Sequence, residues 1–105
     1  MVNSIGGVLQ VPPELVEALV AAAKKPAFAA AEAEVANVFA EGYGVNAVIE
    51  QLLESVMCCE TMPEAAKAKA VAAMAVADKR LVDGADGVLQ LQHVMSVLQQ
   101  AFHAK

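Results

Sequence analysis

The stretch DKRLVDGADGVLQLQ, Asp78 to Gln92, sets two glycines and three aspartates between segments otherwise made of helix-forming residues. Glycine enters the left-handed region at no steric cost, so Gly84 is placed to end a helix. Two residues later, Asp86 offers a carboxylate that can accept from the free N–H groups of a new helix. DGADG therefore reads as a stop and a start with almost nothing between, and so short a connection folds two helices back on one another.

Downstream, the spacing predicts a fifth helix over about 86–104. Val88, Leu91, Met95, Leu98 and Phe102 form one stripe, and Val94, Val97 and Ala101 widen it to about half the circumference at 3.6 residues per turn. Either a bundle envelops this helix or part of its face meets another chain. Leu91, Met95 and Leu98 are the expected core residues of this helix.

Upstream, Thr61 followed by Glu64 fits a capping box with Pro63 in the first turn. A fourth helix is expected from there to about Asp83, carrying Ala68, Val71, Met74, Ala75, Leu81 and Val82 inward. The third helix has the cleanest pattern. Val45, Val48, Ile49, Leu52, Leu53, Val56 and Met57 follow i, i+3, i+4 spacing, while Asn46, Glu50, Gln51, Glu54 and Ser55 face away. Leu52 and Val56 are expected core residues, with Leu81. A second helix, about 27–40, presents Phe28, Ala31, Val35, Val38 and Phe39 and closes at Gly42 and Gly44. A first begins at Pro12 and Pro13, repeats Leu15, Leu19, Ala22 and Ala23, and stops at Pro26. Residues 1–10 have no period and are expected to be a flexible tail or connector, leaving 11–105 as the helical domain. No strand alternation of useful length and no internal repeat interrupt this reading, so the fold class is all-α, a compact antiparallel bundle of about five helices.

A length of 105 residues suits one domain. Hydrophobic types make up 58% of the chain, but 23 residues are alanine, which supplies helix propensity more than core volume. A net charge of −5 with a single arginine argues against direct contact with nucleic acid, because phosphate affinity comes chiefly from clustered Lys and Arg. No secretory signal is evident at the start. The longest run without formal charge, 87–104, has the length of a membrane span but contains four glutamines and two histidines, which a bilayer would reject. Cys58 and Cys59 are adjacent, which suits free thiols in a reducing compartment.

Catalytic and metal chemistry is mostly missing. No GxxxxGK[ST] loop cradles a phosphate. His93 and His103, the two histidines, lie about 15 Å apart along a straight helix, too far to share a metal. The cysteines have no third ligand, and inert thiols are the plain reading. Glu50 and Glu54 stand one turn apart on a polar face with no cleft implied. Asp78 falls on the expected inward side of the fourth helix, where it would bond Lys79, Arg80 or the start of the fifth. The methionines read as core filler. No catalytic, cofactor-binding or metal-ligating residue is assigned, and we expect no enzyme activity of this chain.

At ADKRLVDGADGVLQLQ the sequence resembles a signature near the C-terminus of replication factor C small subunits, the sliding-clamp loader of eukaryotes and archaea. Asp78, Lys79, Arg80, Leu81, Asp83, Gly84, Ala85, Asp86, Leu89, Gln90 and Leu91 match it. AEGYGVNAVIEQLLESVM, KAKAVAAMAVADKR and VPPELVEALV are similar to the family's upstream collar helices, so the likeness covers about residues 8–105. One departure is Gly87, where many members have an acidic residue; losing that first-turn charge would weaken the cap by about 0.5–1 kcal/mol.

The resemblance implies the C-terminal collar of a subunit whose ATPase domain and lid would lie elsewhere. ATP and Mg would be bound in that absent ATPase domain, with no cofactor in this chain. Its partners would be other clamp-loader subunits, met in a five-membered ring through the flank of the fifth helix, Val94, Val97 and Ala101, and it would reach the sliding clamp and primer-template DNA only through the full complex, in the nucleus, with no membrane. The expected function is thus a non-catalytic oligomerisation domain for DNA replication. Two alternatives stand beside it: a free-standing adaptor binding a partner helix in a groove lined by Met57, Met74 and Met95, and, more weakly, a small redox enzyme using Cys58 or Cys59.

Overall fold

Five helices follow one another in a computed structural model that describes residues 11–103: α1 (Pro13–Lys24), α2 (Phe28–Glu41), α3 (Val45–Met57), α4 (Glu64–Val82) and α5 (Gly87–Phe102). Among the described residues there is no strand. The expected connector at residues 1–10 lies outside the described residues.

Each helix end has a local cause. Lys25 is extended, φ −82 and ψ 149, because Pro26 disfavours helical geometry in the residue before it, and α1 stops there. At the end of α2, Gly42 takes φ +82; its N–H donates to the Phe39 carbonyl at 3.2 Å, and that of Tyr43 to Val38 at 3.3 Å. The same paired bonds recur after α4, where Gly84 has φ +97, its own N–H donates to Leu81 at 3.1 Å, and that of Ala85 donates to Arg80 at 2.9 Å. This is the Schellman arrangement, in which a left-handed residue turns otherwise orphaned carbonyls to use. Asp86 then accepts from the N–H of Val88 at 2.8 Å and of Leu89 at 3.3 Å, so α5 starts with two of its free donors satisfied.

Gly87 has a packing reason. A Cβ at this position would lie 3.0 Å from Val45 Cγ2 and 3.4 Å from Phe39 Cζ, so the bare backbone lets the start of α5 sit against α2 and α3. An acidic side chain at this position would have to push Val45 aside.

Two expectations for α4 need correction. Pro63, not Thr61, occupies the N-cap, with no side-chain cap, and the Thr61 hydroxyl faces Cys59 Sγ at 3.3 Å instead. The buried face is Ala66, Ala70, Met74 and Ala77; Leu81 and Val71 are half-buried, and Ala68, Ala75 and Val82 are exposed. Alanines ring this helix, so its apolar residues define no direction, and the neighbours it packs against decide which side turns in. In α3, Val48, Ile49, Leu52 and Val56 are buried as the spacing requires, but Met57, at the last turn, is exposed.

The arrangement follows from α5, which packs on α1, α2, α3 and α4. Leu91, Met95 and Leu98 are fully buried, at 0% exposure, and meet Leu19, Val35, Val38, Ile49, Leu52, Val56 and Met74 in one core. Each such side chain contributes about 1.5–3 kcal/mol through removal from water.

Leu91→Asp places an unpaired charge at the centre of this core, a cost of several kcal/mol per ion against a domain stability of about 5–15 kcal/mol. It is expected to abolish the helical circular dichroism. Asp86→Ala is expected to keep the fold and lose about 1 kcal/mol, lowering the melting midpoint by about 4–8 °C; an unchanged midpoint would show that the cap carries no stability.

Candidate interaction surface

Because α5 is enveloped, its wide apolar face is spent mainly within the chain. Val94 is 1% exposed and lies in the core, so it does not form the expected flank for a neighbouring subunit; Ala101, at 4% exposure, is also largely covered. Val97 is half-buried, and with Ala101 it lines a groove of about 300 Å³ between the start of α4 and the end of α5, together with Pro63, Ala65, Ala66, Lys69 and Gln100. The breadth of the stripe reflects neighbours on several sides rather than spare surface.

Apolar surface that does remain outside belongs to other residues. Val82 is 81% exposed, Leu89 61% and Val76 47%, and Phe39 and Val88 are also open. Lys69 and Arg80 stand eleven residues apart on α4, which at 3.6 residues per turn puts them within about 20° of one bearing, and Val76 falls between them. Leu89, His93, Val97 and Gln100 recur at helical spacing on α5, of which Val97 and Gln100 meet Lys69 in the groove.

Gln99 was not singled out by the spacing of apolar residues, yet it ties the two ends of the helical domain. Its Nε2 donates to the carbonyls of Lys25 and Ala27, each at 3.1 Å, on either side of Pro26. These carbonyls lie at the end of α1 and the start of α2, where no helix supplies a donor. Close by, Lys24 Nζ lies 5.5 Å from the ring centroid of Phe102, a cation–π contact. The only hint in sequence is an amide on the fifth helix a few residues beyond the apolar stripe, a signal too common to read.

The remaining candidates scatter. Met74 and Met95 are buried at 1% and 0% exposure while Met57 is open, so these three do not line a common groove for a partner helix. Asp78 is half-buried beside Val45, Asn46, Leu81, Val82 and Gly87; the carboxylate that bonds Lys79 is Asp83, at 3.1 Å, one turn on. Glu50, Glu54, His93 and His103 are exposed on separate positions. Among the described residues no three His, Cys, Asp or Glu side chains gather as a metal site would require, and no helix is long and apolar enough to cross a membrane. Cys58 is exposed; Cys59 is half-buried, and its thiol is held below the ordinary value by the Thr61 hydroxyl, aided by the backbone N–H groups of Thr61 and Met62 and by the Lys24 charge, against the opposing effect of burial.

Comparison with known proteins places this geometry. Residues 11–97 match the model of the replication factor C C-terminal domain. The chain is 40% identical over 86 residues to a rice (Oryza sativa subsp. japonica) protein named replication factor C subunit 2, covering 82% of this chain and 25% of that one. It is 44% identical over 87 residues to replication factor C subunit 4 of Arabidopsis thaliana, covering 82% of this chain and 26% of that one. The chain thus spans about a quarter of the length of the curated relatives it matches. The two relatives carry different subunit numbers at similar identity, so it is the family, not one numbered subunit, that the likeness establishes.

Gln99→Leu keeps the volume and removes both bonds to the α1–α2 turn. It is expected to destabilise the domain by about 0.5–1.5 kcal/mol, the net worth of a hydrogen bond whose exposed acceptors can turn to water instead, with the loss of hydrogen-exchange protection concentrated around that turn. In a Cys58→Ser background, Cys59 is expected to be alkylated with a midpoint at lower pH than in the same chain carrying Thr61→Val, because the hydroxyl stabilises the thiolate; equal midpoints would remove Thr61 as the cause.

Proposed function

The chain belongs to the replication factor C C-terminal domain family, and from that premise we propose that it acts as a non-catalytic oligomerisation module of a clamp-loader subunit, joining sister subunits in an ATP-dependent complex that serves DNA replication in the nucleus. The observation that carries this reading is that the family match, 11–97, falls on the same residues that fold as one bundle around α5. A self-contained core with apolar residues left outside it, at Val76, Val82 and Leu89, is what a module that joins others requires.

Chemistry in the wider complex would come from other parts. The sequence has no phosphate-binding loop, so ATP and Mg are assigned to an ATPase module, and the sliding clamp and primer-template DNA to contacts made by the assembled loader. With a charge of −5, this chain is assigned no nucleic-acid contact of its own. The adaptor reading loses its support with the burial of Met74 and Met95.

Mixing the chain with the other small subunits of a clamp loader and measuring mass by light scattering tests the proposal. The chain is expected to enter a complex of defined stoichiometry in place of a full-length sister subunit. A chain that stays separate at every concentration, with its helical spectrum intact, would overturn the reading.

A further inference from the structure

Cys58 caps the end of α3 and Cys59 follows it, yet the two thiols line different grooves. Cys58 borders one with Glu17 and Glu54, a carboxylate from α1 and another from α3. Cys59 borders a second, of about 200 Å³, whose walls include Val20, Lys24, Val56 and Phe102. Lys24 is exposed, takes part in no ion pair among the described residues, and holds its Nζ 5.5 Å from the centre of the Phe102 ring. Adjacent thiols therefore meet solvent through openings of opposite charge.

We propose that Cys59 is a site of reversible S-thiolation, and that the groove beside it takes one arm of a small anionic disulfide of the glutathione class. The inference is independent of the assembly reading. The Cys59 thiolate attacks one sulfur of the disulfide, and a new S–S bond joins Cys59 to that half. The original S–S bond breaks, and the other half leaves as a thiolate that takes up the proton Cys59 has given up. No oxidant beyond the disulfide is consumed. The Thr61 hydroxyl, 3.3 Å from Sγ, lowers the thiol's pKa and so raises the share of attacking thiolate. Lys24 meets a carboxylate of the arriving peptide, while Val20 and Phe102 give its methylenes an apolar wall.

Three features favour this adduct over its rivals. Glu17 and Glu54 repel an anionic reagent from Cys58. The N–H of Cys58 donates to the Glu54 carbonyl at 3.1 Å and that of Cys59 to Val56 at 3.0 Å, so the backbone is held through both residues, and a bond between neighbouring sulfurs would have to bend it. The mixed disulfide consequently waits for an external thiol to remove it. A metal is a poor rival, since among the described residues no third ligand gathers with the pair.

Incubating the chain with glutathione disulfide near neutral pH, followed by intact mass and peptide mapping, is the test. One glutathionyl group is expected, on Cys59, and dithiothreitol should remove it. Cys58→Ser should react as fast as wild type, and Cys59→Ser far more slowly. Lys24→Glu, checked for folding by circular dichroism, should react about fivefold more slowly with glutathione disulfide, a larger loss than with the uncharged hydroxyethyl disulfide. Lys24→Gln, which keeps the stem over Phe102, should show the same selectivity at smaller size. This comparison separates recognition of the anion from reactivity of the thiol, which would slow both reagents alike. No adduct at all, first modification at Cys58, loss of two hydrogens to a Cys58–Cys59 bond in place of the added group, or Lys24 variants slowed equally with both disulfides would each overturn the proposal.

Discussion

One uncharged, apolar helix must be kept from water on several sides at once, and the rest of the molecule is arranged to do that. Within α5 no formal charge falls anywhere in sixteen residues, and burial of its large side chains is the main favourable term available to so alanine-rich a chain. The other four helices each touch it. Glycine and aspartate at the α4–α5 turn fix its entry, and the bare Cα of Gly87 sets how closely that entry rests on Phe39 and Val45.

The fold could be read from sequence wherever large side chains contrast with polar ones. The five elements, the left-handed Gly84 and the cap at Asp86 were all visible in spacing and turn chemistry, and the buried positions of α3 followed from Val48, Ile49, Leu52 and Val56 standing opposite glutamates. The inward face of α4 was not readable, because an alanine on the inside and an alanine on the outside are the same letter; Ala70 is buried and Ala68 exposed with nothing local to separate them. Thr61 shows a different limit. Its capping pattern is correct in form, but Pro63 already ends the extended segment, and the hydroxyl found a thiol instead.

The burial of the expected α5 flank was not readable for a physical reason of the same kind. A broad apolar stripe says how many sides of a helix are covered and says nothing of what covers them. Val94 and Ala101 are covered by the chain's own helices, whereas the open apolar residues, Val76, Val82 and Leu89, sit at positions where the periodic pattern assigns nothing or assigns core. Charge is the other pattern plain in the letters, since no Lys or Arg falls within α2 or α3.

The bonds from Gln99 to Lys25 and Ala27 join residues separated by 74 and 72 positions. During synthesis, therefore, the α1–α2 elbow is made long before the amide that completes it leaves the ribosome. Earlier helices can form and touch, but their shared centre stays open until α5 arrives, so a nascent domain would expose an unfilled hydrophobic slot for as long as α5 has yet to emerge. A holdase with affinity for such slots would find this domain a client until that helix is available to fill it.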